Sequence, residues 1–454
     1  MKNQTTTNST SFQPTLLRPS AVLIDGTVKT GLEIEVAEGR ISAIRPMTGP
    51  ENLIGKLVVP GFVNAHSHAF QRGIRGWVQW SSSEDNFWSW RERMYSLANR
   101  LDPEGVEAVS ALAYLEMLEA GFTSVGEFHY LHHQAGGASW DDKNELAKRV
   151  ITAGRDVGLR VALLRVAYSR GGAELPPTEE QLRFCDTGPD AVLSAIDDLK
   201  RSPLVLDDPC VTVGLAPHSV RAVPDSWLRE FAGFDGPIHT HIDEQKAEVE
   251  QSLAEYGKRP CHVFAESGLV TSRFTGVHFT WPDASEIALL RSLGGGVCAC
   301  PTTEMDLGDG FLPIEHLEGV NLSIGTDSHA RIDPFAEVRA LELHARARLG
   351  RRNVLVTSAD PNALAARLLE IGSKGGSRAL ELNGGSIAVG ADADLVALSI
   401  DGTPTSTGPL LPNIVFASGP QSVRDVWVAG KRVISDGKHP ERRAIIERAK
   451  AVLT

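Results

Sequence analysis

The chain of 454 residues contains no apolar run near the roughly 20 residues that a membrane-spanning helix needs. Its first 14 residues lack the hydrophobic core of a secretory signal peptide, and their polar composition predicts a disordered tail. No cluster of basic residues is present, and the formal net charge is −12. These absences argue against a membrane or a nucleic acid as partner and favour a cytoplasmic protein.

Cysteine is also scarce. The five cysteines are an odd number, and no two of them have CxxC spacing. They are scattered along the chain, apart from the alternating pair Cys298 and Cys300. This usage predicts buried thiols in a reducing cytoplasm.

Short apolar strands alternate with helical patterns through the middle of the chain. Eight strands are predicted, over residues 57–66, 122–130, 159–169, 210–219, 237–243, 274–281, 294–301 and 320–329. Eight strands alternating with helices over roughly 270 residues are typical of a parallel (β/α)8 TIM barrel, an α/β fold. An open doubly wound sheet is the alternative fold, and it is disfavoured because no glycine-rich phosphate loop follows any strand.

The two ends of the chain have a different pattern, with short alternating strands and Asp-Gly or Glu-Gly turns. We therefore predict one small β-sandwich domain built from both termini, over residues 15–56 and 385–454. The last part of it, residues 440–453, is predicted to be a helix. The catalytic barrel domain is predicted to cover residues 57–384.

Histidines and carboxylates stand at or near the ends of several predicted barrel strands. In chain order they are His66, His68, His239, His241, Glu244, His278 and Asp327. Side chains two residues apart on a strand project the same way, so each His-x-His pair presents both rings on one face. Reactive groups in such barrels lie at the carboxyl ends of the strands, so these side chains are expected to converge.

Nitrogen and oxygen donors from separate strands suit one Zn²⁺ ion, with another divalent metal as the alternative. His239 and His241 lie on one strand, and only one of them is expected to bind the metal. His239 lies deeper in the predicted barrel, so we interpret His241 as the ligand and His239 as a residue that packs in the barrel or supports a ligand.

Six segments of the sequence resemble the amidohydrolase superfamily. They are PGFVNAHSHAFQR, EFHYLHH, APHSVRAV, HTHIDEQ, CPTTEMDLGDG and IGTDSH. The order of these motifs matches from about residue 20 to about residue 435. Within the superfamily, HAFQR, EFHYLHH and PTTEMDLGDG are the discriminating motifs, and they resemble the formimidoylglutamate deiminases of histidine degradation.

The resemblance implies a set of metal ligands and catalytic groups. The implied ligands of one metal ion are His66, His68, His241 and Asp327. The implied catalytic residues are Glu244, His278 and Asp327. Relatives with two metals carry a carbamylated lysine at the end of the fourth strand, where this sequence has His218, so one Zn²⁺ per chain is predicted. The implied reaction is hydrolysis of a formimidoyl group with release of ammonia.

The resemblance also implies a substrate pocket, formed by Gln71, Arg91, Tyr130, His218 and Arg221. Two arginines favour a small-molecule substrate with carboxylates, because a guanidinium group binds a carboxylate bidentately. Arg93 is the alternative to Arg91. Glu304, Asp306 and Asp309 are expected at the edge of the site, without a catalytic role.

Three points stay open at this stage. A deaminase of a nucleobase, nucleoside or related heterocycle is the alternative activity, and a non-catalytic scaffold is the third hypothesis. Trp281 stands where the family often has a histidine, which leaves the shape of the pocket near the leaving nitrogen undetermined. Related enzymes often form homodimers, although nothing in these residues requires one.

Overall fold

The computed structural model describes residues 14–79, 87–400 and 408–454. The tail predicted to be disordered, residues 1–14, lies outside the described residues except for Pro14. The strands are β1 (Thr15–Leu17), β2 (Pro19–Ile24), β3 (Thr27–Lys29), β4 (Leu32–Ala37), β5 (Arg40–Pro46), β6 (Leu53–Pro60), β7 (Phe62–Ser67), β8 (Phe122–His129), β9 (Arg160–Ala167), β10 (Val211–Pro217), β11 (Ile238–Ile242), β12 (Phe274–His278), β13 (Gly296–Ala299), β14 (Asn321–Ile324), β15 (Leu395–Ser399), β16 (Val423–Val428) and β17 (Lys431–Ile434).

The α-helices connect these strands. They are α1 (Phe87–Arg100), α2 (Pro103–Ala120), α3 (Glu145–Val157), α4 (Pro189–Lys200), α5 (Pro203–Leu206), α6 (Asp225–Glu230), α7 (Lys246–Tyr256), α8 (Pro260–Glu266), α9 (Ala284–Leu293), α10 (Pro301–Leu307), α11 (Pro334–Leu349), α12 (Ala363–Glu370), α13 (Gly376–Ala379), α14 (Leu410–Ala417) and α15 (Arg442–Leu453). A single turn of π-helix, Ile371–Gly375, joins α12 to α13. Among the described helices, none is both long enough and apolar enough to cross a membrane.

Strands β7 to β14 form a closed barrel in which every neighbouring pair is parallel. The strands follow one another around the barrel in chain order, and helices connect most of them on the outside. The predicted (β/α)8 barrel is therefore confirmed. Because all strands run the same way, their carboxyl ends meet at one rim.

Helix α2 shows how the local sequence sets the bounds of these elements. It begins after Asp102, whose side chain accepts a hydrogen bond from the backbone N–H of Gly105 at 2.7 Å, and Pro103 occupies the first turn. It ends at Gly121, whose φ of 100° favours glycine, and β8 begins at the next residue. All eight residues of β8 are buried, as expected for a barrel strand covered on both sides.

The first predicted strand, residues 57–66, is in fact two strands that belong to different sheets. Strand β6 pairs with β15 and β2, whereas β7 enters the barrel. The chain passes from one sheet to the other at Gly61, where a Cβ atom would lie 2.1 Å from Oγ1 of Thr123. The apolar run is continuous across this point, so its pattern gave no sign of the division.

The chain termini contribute two further sheets, which form a separate domain. One has six strands in the order β17-β16-β15-β6-β2-β3, and the other has three in the order β1-β4-β5. Their apolar side chains pack together in a small core of their own that includes Val22, Ile34 and Leu395. The predicted terminal helix is present as α15, and it packs against barrel helix α2.

A buried ion pair joins the barrel to this second domain. Arg160, the first residue of β9, donates to both carboxylate oxygens of Asp394 at 2.9 and 3.2 Å, and to the carbonyl of Pro209 at 2.9 Å. The Asp394 carboxylate also accepts from the backbone N–H of Ala429 at 2.7 Å. Both side chains are almost fully buried, so neither charge has water to replace its partner.

We expect Arg160→Met to lower the free energy of unfolding by about 3–5 kcal/mol, because it leaves the Asp394 carboxylate buried without its cation. Denaturant unfolding followed by circular dichroism measures the change. Arg443→Met is the control, since the Arg443–Glu447 pair is largely exposed and its loss should cost below about 0.5 kcal/mol. Equal losses for the two variants would contradict the stabilising role of the buried pair.

Candidate active site

Side chains from four barrel strands converge at the carboxyl rim. His66 lies on β7, His241 lies on β11, His278 is the last residue of β12, and Asp327 follows β14. All four are buried, and their ligating atoms lie within 4.8 Å of one another. His68, just past the end of β7, places its Nε2 3.1 Å from Oδ1 of Asp327.

The donor atoms of this cluster face one point. Nε2 of His66 lies 3.2 Å from Oδ1 of Asp327 and 3.2 Å from Nε2 of His241. The Nδ1–H of His68 donates to the carbonyl of Phe128 at 3.0 Å, and that of His241 donates to the carbonyl of His218 at 3.0 Å. Each of these two rings therefore turns a free Nε2 lone pair towards the cluster, as metal-ligating histidines do.

The charge states of the cluster suit a divalent cation. Burial lowers the pKa of His66 to about 3 and holds the pKa of His241 well below its usual value, so both rings are neutral. Burial alone would raise the pKa of Asp327, but its close contacts with His66 and His68 bring it well below its usual value. Neutral imidazoles and an ionised carboxylate are the forms that bind Zn²⁺, so this donor set fits such an ion.

Left-handed backbone conformations are concentrated at this rim. φ is 50° at Asp243, 76° at His278, 53° at Phe279, 46° at Asp327 and 58° at His329. Such conformations cost about 1–3 kcal/mol each outside glycine, and they persist where the surrounding structure imposes them. The fold therefore holds two cluster residues, His278 and Asp327, in backbone conformations that are unfavourable in an unconstrained chain.

A second set of polar groups surrounds His278. Its Nδ1 lies 3.4 Å from Oε1 of Glu304, and its Nε2 lies 3.9 Å from Oε1 of Glu244. Arg221 donates to the other oxygen of Glu244 at 3.0 Å. Burial would lower the pKa of His278, but the hydrogen bond that its ring N–H donates to Glu304 and the charges of Glu244 and Asp327 raise it well above its usual value. His278 thus has the character of a buried imidazolium between two carboxylates.

A cavity of about 340 Å³ opens above the cluster. Each residue predicted to bind substrate lines it: Gln71, Arg91, Tyr130, His218 and Arg221. The predicted ligands His68, His241 and Asp327 line it as well, together with Glu244 and His278, whereas His66 is fully buried beneath them. Arg93 is exposed on α1, so of the two candidate arginines only Arg91 faces the cavity.

Comparison with known proteins identifies the family. The sequence pattern of the amidohydrolase family matches residues 57–433. The chain belongs to the amidohydrolase family. It is 39% identical over 416 residues to the formimidoylglutamate deiminase of Pseudomonas aeruginosa, covering 89% of this chain and 90% of that one. It is therefore a hydrolase that acts on C–N bonds.

Solved structures agree with this assignment. The crystal structure of an amidohydrolase from Brucella melitensis matches with a TM-score of 0.90 and 33% identity, over 96% of this chain and 98% of that one. The crystal structure of an adenosine deaminase from Xanthomonas campestris with bound zinc matches with a TM-score of 0.80 and 26% identity, over 96% and 97%. One of these two relatives is thus a deaminase that binds zinc on the same fold.

Several residues of this amidohydrolase that the sequence singled out lie away from the cavity. Nε2 of His239 donates to the carbonyl of Ala379 at 2.8 Å, in agreement with a packing role. The indole N–H of Trp281 donates to the carbonyl of Asp309 at 2.5 Å. Trp281 thus stabilises the loop that contains Asp309, and it does not line the cavity. Asp306 is exposed.

Sequence reasoning missed a network beneath the His-x-His pair. The Ser67 hydroxyl and the Ala69 backbone N–H donate to the carboxylate of Glu127 at 2.5 and 2.8 Å. Nε2 of His329 donates to the Ser67 hydroxyl at 3.0 Å. Burial raises the pKa of Glu127 to about 7. Glu127 and His329 both lie within the motifs that carry the family resemblance, but only the fold shows that they hold the end of β7 next to His66 and His68.

The two histidines of β11 give a matched test of metal binding. We expect His241→Ala to weaken zinc binding by about 100-fold or more, because it removes an atom that faces the cluster. His239→Gln should leave zinc binding unchanged, since the glutamine amide can still donate to Ala379. Zinc content after dialysis against a graded chelator, measured by atomic emission, distinguishes the two. Equal zinc retention by both variants would contradict the assignment of His241 as a ligand.

Proposed function

We propose that this amidohydrolase hydrolyses N-formimidoyl-L-glutamate to N-formyl-L-glutamate and ammonia with one Zn²⁺ per chain. The observation that carries the proposal is the pair Arg91 and Arg221 in the wall of the cavity above the histidine–aspartate cluster. A substrate with two carboxylates offers each guanidinium group a partner of opposite charge. The 39% identity to a formimidoylglutamate deiminase supports the same substrate.

The metal would be held by His66, His68, His241 and Asp327. Zinc bound there would supply a water molecule whose pKa is lowered towards about 7, which makes it nucleophilic at neutral pH. The free thiols found at each of the five cysteines suit the cytoplasm, where we propose that the enzyme acts.

The protein groups around the reacting carbon have separate roles in the proposed reaction. The ionised Asp327 accepts a proton as water oxygen adds to the formimidoyl carbon and the C=N double bond becomes single. His278, in its protonated form, donates from Nε2 to the attacking oxygen and stabilises the developing negative charge. The formimidoyl group enters in its protonated form, and Glu244 takes the proton left on the added oxygen and delivers it to the terminal nitrogen, which then carries three protons. The C–N bond to that nitrogen then breaks, ammonia leaves, and the carbon keeps the oxygen as a formyl C=O.

Arg221 links the chemistry to the substrate. It donates to Glu244 and also lines the cavity, where its guanidinium group can interact with a carboxylate of the substrate. Substrate recognition and the proton-transfer group therefore meet at one side chain.

Deamination of a nucleoside is the second candidate, because the zinc-containing adenosine deaminase has the same fold and aromatic rings line this cavity. An uncharged base offers no carboxylate to the two guanidinium groups in the cavity wall. A dicarboxylate adds a charge-assisted interaction with each of them and is therefore the favoured substrate.

Turnover of the proposed substrate is tested with zinc-loaded protein, N-formimidoyl-L-glutamate and a coupled ammonia assay, with adenosine as the competing substrate. We expect ammonia release from N-formimidoyl-L-glutamate and none from adenosine. Arg91→Ala should lower kcat/KM by about 10- to 100-fold, because it removes a charged hydrogen-bond donor from the carboxylate. Arg93→Ala, on the same helix but exposed, should leave it unchanged. Deamination of adenosine alone would contradict the proposed substrate.

The role of Glu244 is tested by Glu244→Gln, which keeps an acceptor for Arg221 but cannot transfer a proton. We expect kcat to fall by about 10²- to 10⁴-fold, the usual contribution of a general acid or base. Zinc content and the affinity for the product N-formyl-L-glutamate should stay within a few-fold of the wild type. A variant with unchanged kcat would exclude Glu244 as the proton donor.

A further inference from the structure

Two tyrosines that the sequence motifs did not single out line the cavity on the side of the arginines. Tyr168 follows the end of β9 and is 6% exposed, and Tyr95 lies on α1. The guanidinium carbon of Arg91 lies 5.4 Å from the centre of the Tyr95 ring. The Tyr168 ring packs edge-on against His218, at 4.9 Å between ring centres. Both hydroxyl groups thus belong to the region of the cavity that carries its positive charge.

A buried glutamine joins the two hydroxyl groups. Gln181 is fully buried, and its side-chain amide donates to the hydroxyl oxygen of Tyr168 at 2.8 Å and to that of Tyr95 at 3.1 Å. Its carbonyl oxygen accepts from the backbone N–H of Thr178 at 2.9 Å. A backbone N–H only donates, so this last contact fixes which end of the Gln181 amide faces the tyrosines.

The two tyrosine hydroxyl groups keep protons that Gln181 cannot accept. The two N–H groups of the Gln181 amide occupy an acceptor site on each tyrosine oxygen. Each hydroxyl group must then direct its own proton elsewhere. Both side chains line the cavity, so a hydroxyl proton is available to an acceptor there.

The surroundings keep this donor protonated. Burial raises the pKa of Tyr168 well above its usual value, against the smaller opposing effects of the positive charges of Arg91 and Arg221. A neutral O–H donor beside two cations is suited to an anionic acceptor such as a carboxylate, and such charge-assisted hydrogen bonds are strong.

We propose that Tyr168 is a specificity-determining residue that donates its hydroxyl proton to one carboxylate of the substrate, next to Arg91 and Arg221. Gln181 is a positioning residue, because its amide occupies the tyrosine oxygens and so turns a proton towards the cavity. The inference rests on the proposed function for the identity of the substrate. It adds a third, uncharged donor to the two arginines, and it predicts selection for acidic substrates.

The hydroxyl contact is tested by comparing substrates that lack one carboxylate. N-formimidoyl-L-norvaline lacks the distal carboxylate, and N-formimidoyl-4-aminobutyrate lacks the α-carboxylate. We expect Tyr168→Phe to lower kcat/KM for N-formimidoyl-L-glutamate about 10-fold, mainly through KM, and to have no effect on one of the two truncated substrates. Tyr114→Phe, a buried tyrosine outside the cavity, should leave these ratios unchanged. An equal loss on all three substrates would overturn the proposal.

Gln181→Glu tests the positioning role, because the side chain keeps its shape but presents an acceptor where the amide donated. The tyrosine protons should then turn towards residue 181, and KM for N-formimidoyl-L-glutamate should rise about 10-fold with little change in kcat. Because Gln181 acts through Tyr168, the double variant with Tyr168→Phe should show no further rise. Additive effects would show that Gln181 does not act in this way.

A binding measurement separates this inference from the proposed reaction. Glutarate has two carboxylates and no formimidoyl group, so calorimetry of its binding needs no turnover. We expect Tyr168→Phe to weaken glutarate binding about 10-fold. If glutarate binding weakens in this way but N-formimidoyl-L-glutamate is not turned over, the proposed reaction is wrong and the carboxylate contact is supported. An unchanged affinity for glutarate would contradict the contact between Tyr168 and a carboxylate, whichever substrate the protein turns over.

Discussion

The closure of the barrel and the assembly of the candidate site depend on the same contact, between Asp327 and the end of β7. The paired strands β14 and β7 share a single register pair, Ile324 with Asn64. Beyond it, the backbone N–H of Asp327 donates to the carbonyl of His66, and the N–H of His68 donates to the carbonyl of Asp327, both at 3.1 Å. The backbone that closes the barrel thus belongs to the residues whose side chains form the cluster.

Hydrogen bonds between side chains next to this contact help to hold the buried polar cluster. The Asn64 side chain donates to the Thr326 hydroxyl at 2.7 Å and accepts from the Thr326 backbone N–H at 3.0 Å. The Thr326 hydroxyl in turn donates to Nδ1 of His329 at 2.8 Å. Buried polar groups destabilise a fold unless they are hydrogen-bonded, and here each one in the chain satisfies the next. The free lone pairs of the cluster face inward, where a cation would satisfy them.

Much of the fold and the cluster was predictable because the relevant signals are local. Alternation places His66 and His68 on one face, and strand ends of a parallel barrel meet at one rim, so the convergence follows from the order of the strands. The division at Gly61 was not predictable, since it depends on the Thr123 side chain across the sheet. Gln181 lies in a 3₁₀ helix that the sequence did not indicate. Its contact with Tyr168 depends on the fold of a long loop.

The residues that the sequence pattern predicted serve the reaction, whereas the residues whose positions it could not predict serve substrate selection. The groups at the strand ends are set by the barrel, and a zinc-containing adenosine deaminase of 26% identity shares that barrel. Groups that distinguish a dicarboxylate from a base must come from elsewhere, and in this chain Arg91 lies on a helix and Arg221 on a loop. Loops change without disturbing the closed sheet, since the hydrogen bonds that hold the barrel lie within the strands. In our proposal the identity of the substrate is therefore determined by side chains such as Arg91, Arg221 and Tyr168, whose positions the strand pattern leaves free.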